Sequence, residues 1–303
     1  MQKEIKFSGE SIRIDKYLAS AIEDVTRSEL KNYFTDGLIT VNGKVVKPSY
    51  TLSEGDLINI EPREVISLDI EKEDIPLDVV YEDSDVIVVN KPSGMVVHPA
   101  FGHYQGTLVN ALMHHCDDLS GINGVIRAGI VHRIDKDTSG LLVACKNDLA
   151  HKSLSKQLKD KTTTRKYIAI VYGQIPHNLG KINAPIGRDE NNRQKMAVVS
   201  GGKPAVTHFK VLERFKKFTL IECTLETGRT HQIRVHMSYI GYPVLGDPLY
   251  GPRKVYGNTG QFLHAKTLGF VHPRTNEYVE FSKDAPSIFY ETLEEIKKGF
   301  LDK

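Results

Sequence analysis

Ile14, Leu18 and Ile22 recur at four-residue intervals, which places them on one face of a helix beginning near Ser11. A second helix is expected directly after it. Thr26-Arg-Ser-Glu29 has the capping-box form, in which a hydroxyl and a carboxylate satisfy opposite orphan amides, and Gly37 can take the left-handed stop. Leu38 to Val46 then reads as two short strands around Asn42-Gly43, the dipeptide that best tolerates positive φ at both turn positions. Further along, Val79–Asn90, Gly140–Lys146, Lys166–Gly173, Ala205–Glu213 and Thr219–Leu225 are β-branched or aromatic runs bounded by turn residues. Helical spacing interrupts them at Thr107–Cys116, Asn147–Lys159, Thr230–Tyr239 and Ile288–Lys298. The strands outnumber the helices and do not alternate with them as in a doubly wound sheet. The pattern predicts an α+β protein: a small module of two helices and a hairpin at 1–60, an acidic linker at 61–78 with prolines at 62 and 76, and a mixed, mainly antiparallel domain at 79–303.

Composition narrows the class. With 303 residues, 40% hydrophobic and 26% charged, the chain is neither disordered nor fibrous. Its longest aliphatic run, Val86 to Val89, falls far short of a bilayer span, and Met1 to Ser11 is too charged for a signal peptide. Cys116, Cys145 and Cys223 are widely spaced and form no C-x-x-C, so no disulfide framework or zinc ribbon is expected, and a reducing cytoplasm is the default compartment. The net charge of +2 conceals a strong polarity. Residues 51–90 hold twelve acidic against two basic residues, whereas 146–217 hold sixteen basic against five acidic. The second stretch favours a polyanionic partner.

Much chemistry is missing. No G-x-x-x-x-G-K-[ST] loop occurs, and Gly121, Gly124 and Gly129 do not fit G-x-G-x-x-G, so no nucleotide cofactor is expected. His231 and His236 are five apart and His114-His115 are adjacent, which does not suit a shared metal, and no metal site is expected. Ser139 lacks the G-x-S-x-G elbow. A cofactor-free reaction run by ordinary side chains remains.

The densest chemistry is Val131-His-Arg-Ile-Asp-Lys-Asp-Thr-Ser-Gly140, which puts two carboxylates and two cations in a turn just ahead of the apolar run Leu141–Cys145. A carboxylate held at the edge of a core is placed as a nucleophile requires. The same residues also suit a plain turn in which Asp135 or Asp137 caps the backbone and Arg133 pairs with it. Tyr167 by itself reads as a strand core aromatic.

Two resemblances weigh on these alternatives. Ile14-Asp-Lys-Tyr-Leu18, Thr26-Arg-Ser28 and Gly37-Leu-Ile-Thr-Val-Asn-Gly43 resemble an S4 RNA-binding domain. That implies an RNA-tracking surface including Arg13, Lys16, Arg27, Ser28, Lys31, Lys44 and Lys47, although the module has slightly more acidic than basic residues. His132-Arg-Ile-Asp-Lys-Asp-Thr-Ser-Gly140 resembles the H-R-L-D-x-x-T-S-G signature of the RluA/RluD family of RNA pseudouridine synthases. Four colinear segments are similar to the same family: Val88–Pro99, Arg165–Gly173, Glu226–His236, and Gly246–Gly251 followed by Leu263-His-Ala.

The resemblance implies isomerisation of uridine to pseudouridine in RNA, without cofactor. Asp135 matches the catalytic aspartate, Tyr167 an active-site tyrosine able to stack on the detached base, and Ile233 an apolar pocket position. Arg229 matches the arginine expected to pair with the aspartate; Arg234, five residues on, is the alternative but would leave a helix on a different face. Arg133 matches a residue that fills the gap left by an extruded base. Lys156, Lys159, Lys161, Arg165 and Lys166 are candidate phosphate contacts within the basic stretch. Lys91, in Lys-Pro-Ser-Gly94, is read as structural support. The expected partner is RNA, 23S-type rRNA or a pre-ribosomal particle, met by a monomer away from any membrane. A catalytically silent RNA-binding or assembly factor on the same scaffold is the alternative.

Overall fold

In the computed structural model, the residues described are 3–22, 30, 33–61, 70–99, 104–122, 128–192, 194–252 and 260–301. They divide into two units, Met1–Ser67 and Leu68–Lys303. The first contains β1 (Lys3–Lys6), α1 (Ile14–Ala21), β2 (Ile39–Val41), β3 (Lys44–Val45) and β4 (Leu57–Ile60), its strands paired in the order β1-β4-β2-β3. Asn42 and Gly43 have φ of 51° and 77°, so the β2–β3 turn forms as their side chains permit. Ile14 and Leu18 are buried with Ile39, Ile58 and Ile60. The strand β1 is not legible, because Lys-Glu-Ile-Lys offers one apolar position in four and pairs only at an edge. The capping box at 26–29 lies outside the described residues, as do Arg27, Ser28 and Lys31.

The second unit is built on a nine-stranded sheet. Its elements are β5 (Val79–Glu82), β6 (Val86–Lys91), α2 (Leu108–His115), β7 (Ser139–Cys145), α3 (Asp148–Asp160), β8 (Thr164–Tyr172), β9 (Leu179–Asn183), β10 (Ile186–Arg188), β11 (Met196–Val198), β12 (Val206–Arg214), β13 (Phe218–Leu225), α4 (Gln232–Tyr239), β14 (Leu263–Val271), β15 (Tyr278–Ser282) and α5 (Ser287–Lys297). The sheet runs β5-β6-β7-β14-β8-β13-β12-β9, with β15 on β14, while β10 and β11 pair separately. All its ladders are antiparallel except the short β7–β14 contact, His264 with Ser139 and Ala265 with Gly140. The backbone approach there is tight: Gly140 has φ of 116°, and a Cβ on it would lie 2.4 Å from the Ala265 carbonyl oxygen.

Strand alternation sorts the core into two faces. Ile87, Val89, Leu142, Ala144, Tyr167 and Ala169 bury against α2 and α4, through Leu108, Leu112, Ile233 and Met237. On the opposite face, Leu141 and Val143 meet α3 at Ala150 and Leu154, and Ile168 and Ile170 meet α5 at Phe289 and Leu293. The three cysteines are free and buried.

The expected linker ends sooner than its composition suggests. Residues 62–69 lie outside the described residues, but 70–78 belong to the second unit. Ile70 is buried in its core, and the Glu73 carboxylate accepts from the Gly106 amide at 2.9 and 3.1 Å, just ahead of α2. Acidic side chains there bind backbone donors rather than water alone, which charge content by itself does not reveal.

Candidate active site

Tyr167 points from β8 to the sheet face covered by α4, and the turn entering β7 brings Asp135 to the same place. The two residues line one cleft, together with Arg133, Arg165, Arg229, Ile233 and Arg234. Asp137 instead lines a separate cavity with Pro92, Ser93 and Gly260. The geometry therefore separates two carboxylates that composition left equivalent.

The turn holding Asp135 is braced from several sides. Thr138 donates its amide to the Asp135 carbonyl at 3.1 Å, and its hydroxyl accepts from Gln261 at 3.0 Å. Lys91 lies beneath, 1% exposed, its ammonium donating to the carbonyls of Pro92, Met95 and Lys136 at 2.7, 2.8 and 2.9 Å. Three acceptors require three N–H bonds, the number an ammonium supplies. Burial pulls the Lys91 pKa down to about 7, opposed by the charges of Asp137 and Asp135. The amide of Gly94 also donates to Lys136, and the Ser93 hydroxyl to Asp137. Lys-Pro-Ser-Gly is thus the brace of the neighbouring turn, in agreement with its reading as structural support. Lys91→Met should leave the Pro92 and Met95 carbonyls unpaired, with Lys136 keeping only the Gly94 amide, and destabilise the protein by about 3 kcal/mol, a fall in melting temperature of roughly 6–12 °C by calorimetry.

His132 accepts the Val143 amide on Nε2 at 3.1 Å, and burial pushes its pKa down to about 3. The ring is neutral at physiological pH and holds the start of the turn to β7. Because the unfolded chain binds a proton at His132 near pH 6.5 and the folded chain does not, this residue's contribution to stability falls as the pH drops from about 6.5 towards 3. Replacing His132 by Gln should flatten that part of a plot of melting temperature against pH.

The partner of Asp135 is Arg234, not Arg229. Arg234 donates from Nη1 to Asp135 Oδ2 at 3.0 Å and, from Nε and Nη2, to both oxygens of Asp247 at 2.7 and 2.9 Å. Its side chain is 5% exposed and lies 5.1 Å from the centre of the Tyr250 ring. The two carboxylates raise its pKa although burial opposes them. Asp247 also accepts the amides of Leu249 and Tyr250, which accounts for the Gly-Asp-Pro-Leu-Tyr-Gly segment. The argument from helical faces misleads because α4 begins at Gln232, so Arg229 stands in the preceding loop. There Arg229 donates Nε to the Pro204 carbonyl at 3.0 Å while its amide donates to Gln232. It lines the cleft without pairing with Asp135.

Tyr167 is 7% exposed, and burial pushes its phenol up to about 12, so it stays neutral throughout the physiological range. Ile233 is 4% exposed and lines the cleft as expected. Arg133 is exposed at its edge. Lys156, Lys159 and Lys161 are exposed and Lys166 half-buried; Lys156 pairs with Asp160, and Lys161 with Glu226. Arg165 departs from its expected role. It is 6% exposed and faces the cleft, since strand alternation turns it inward with Tyr167, and it is no surface phosphate contact. In the first unit, Arg13 pairs with Asp15 at 2.7 Å, and Lys16, Lys44 and Lys47 are exposed.

A carboxylate paired with a buried guanidinium, facing a neutral tyrosine and an apolar wall, defines a site for acid–base or covalent work on a small planar group. Comparison with known proteins gives the class: residues 85–239 match the RNA pseudouridylate synthase family and residues 12–58 the S4 domain. The chain belongs to the RNA pseudouridine synthases and carries an S4 domain at its N-terminal end. It is 60% identical over 289 residues to an uncharacterized RNA pseudouridine synthase of Bacillus subtilis, covering 95% of each chain. It is 48% identical to the ribosomal large subunit pseudouridine synthase D of Zymomonas mobilis, over 90% of each. The solved structure of human RNA pseudouridylate synthase domain containing 1 superposes with a TM-score of 0.56 at 29% identity, covering 75% of this chain and 87% of that one. The enzyme isomerises uridine in RNA.

Proposed function

We propose that this enzyme converts specific uridines of large-subunit ribosomal RNA to pseudouridine, with Asp135 as the reacting carboxylate. The observation that carries the reading is the Asp135–Arg234 ion pair at 3.0 Å, set in the cleft that Tyr167 and Ile233 also line. A guanidinium partner holds the carboxylate in place and aims it to attack the nucleoside or take its proton. Uridine within folded RNA hides its glycosidic bond, so the nucleotide is extruded into the cleft at a cost of a few kcal/mol. Arg133, exposed at the edge, occupies the gap left in the stack. Tyr167 supports the base through its ring face. Arg229 and the exposed lysines at 156, 159 and 161 meet phosphates, as do Lys16, Lys44 and Lys47 of the S4 domain.

The ribosomal target is supported by the name of the Zymomonas mobilis relative, a large-subunit enzyme. Pseudouridine mapping in cells lacking the protein tests it. Defined positions in large-subunit rRNA should lose the modification and regain it with the wild-type gene. Loss confined to transfer RNA, or no loss, would overturn the assignment.

A further inference from the structure

Arg165 and Tyr167 are two residues apart on β8 and so share its inner face. Arg165 is 6% exposed and lines the cleft, yet its Nε has no hydrogen-bond partner among the described residues. Its Nη2 reaches only the Glu226 carbonyl, at a long 3.5 Å. No carboxylate among the described residues forms an ion pair with it, and the charged guanidinium acting on it most directly is the like-charged Arg229. Burial and that neighbour both disfavour its charge, with Tyr167 acting the other way. Asp135 offers no relief, being engaged by Arg234, which Asp247 also holds. Gly228 makes the room: a Cβ there would lie 2.7 Å from Arg165 Nη1. A buried cation with unfilled donors is costly unless something that enters the cleft completes it.

A phosphodiester belongs to the RNA backbone and meets the outer surface, where Arg133 and the lysines are. The group that enters the cleft is a flat base with two carbonyl oxygens. We infer that Arg165 is a catalytic residue that donates to a carbonyl oxygen of the extruded uracil and stabilises the negative charge the base carries while detached. The inference rests on the pseudouridine synthase reading above. When the C1′–N1 bond breaks, its electron pair leaves with the base and spreads over N1 and the carbonyl oxygens. The sugar is balanced through Asp135, by an ester bond at C1′ or by loss of the C2′ proton to the carboxylate. After the ring turns, an electron pair at C5 forms the C1′–C5 bond, the change at the sugar reverses, C5 loses its proton and N1 gains one. Substrate and product are isomers, and no oxidant or reductant is needed. A fixed donor at the site of developing charge acts most strongly in such an enclosed cleft.

The test is single-turnover pseudouridine formation on transcribed large-subunit rRNA by wild type, Arg165→Gln, Arg165→Lys and Gly228→Ala, with RNA affinity, its salt dependence and melting temperature measured on each. Arg165→Gln should slow the chemical step by about 10²–10³-fold, as loss of one oxyanion donor does. Its Kd should change less than about threefold and its salt slope not at all. Arg165→Lys should recover part of the rate. Gly228→Ala, which displaces the guanidinium tip from an exposed position, should slow the step while melting as wild type does. An unchanged rate in Arg165→Gln would overturn the inference. So would a loss residing in Kd with a shallower salt slope, the mark of a phosphate contact, or a loss that follows melting temperature across the variants. If wild type itself forms no pseudouridine in any RNA, the functional reading fails and this inference with it; if wild type turns over and Arg165→Gln keeps pace, only the role of Arg165 fails.

Discussion

Asp135→Asn should abolish pseudouridine formation, by on the order of 10⁴-fold or more, while leaving RNA affinity within about threefold of wild type. The amide keeps the shape of the side chain and an oxygen to accept from Arg234 Nη1, but it can neither attack carbon nor hold a proton. Rate and affinity therefore separate cleanly. Asp137→Asn is the matched control: its side chain lines a different cavity, and the variant should keep a rate within a few-fold of wild type. A single-turnover assay with product analysis checks both. Equal losses in the two variants would refute the assignment of the reacting group, and release of free uracil by wild type would identify a glycosidase instead.

Asp247→Ala has the largest expected effect on stability. It leaves the guanidinium of Arg234, 5% exposed, with one carboxylate where there were two, and strips acceptors from the Leu249 and Tyr250 amides. Removing one partner of a buried pair costs about 3–5 kcal/mol. The melting temperature should fall by roughly 10 °C or more. The rate should fall further than stability explains, because Arg234 loses the bidentate contact that fixes its approach to Asp135. The double variant Arg234→Met/Asp247→Leu separates the two effects. Apolar replacement of both charges should restore much of the melting temperature while the rate stays low. Calorimetry and single-turnover kinetics on the set provide the check, and a recovered rate in the double variant would show that the pair serves folding alone.

The strands that repeat an apolar pattern without interruption were legible in the sequence. Ser139–Cys145 is buried at every position and Phe218–Leu225 at alternate ones from Thr219 on, and both announce themselves by residue type. Leu263–Val271 was missed as a strand because Lys266, Thr267 and Gly269 break its pattern, although it joins β7 to β8 at the middle of the sheet. Leu179–Asn183 offers one buried residue and has no pattern to find. At the site, Asp135, Tyr167 and Ile233 were placed by resemblance and meet in one cleft. The arginines were harder because each sequence signal was local. Arg229 and Arg234 could be told apart only by where α4 begins, and Arg165 read as surface because its neighbours are basic, whereas strand alternation turned it inward. The role of Asp247, thirteen residues past Arg234, left no trace in spacing at all.

The chain of contacts from Asp135 through Arg234 to Asp247 joins segments separated by 99 and 13 residues. Each link is made only when β7, α4 and the loop after it have all come to rest. A nascent or partly collapsed chain would carry the same acid with nothing to aim it, so it could cling to a transcript without altering it. Reactivity thus depends on three segments far apart in sequence being in place together.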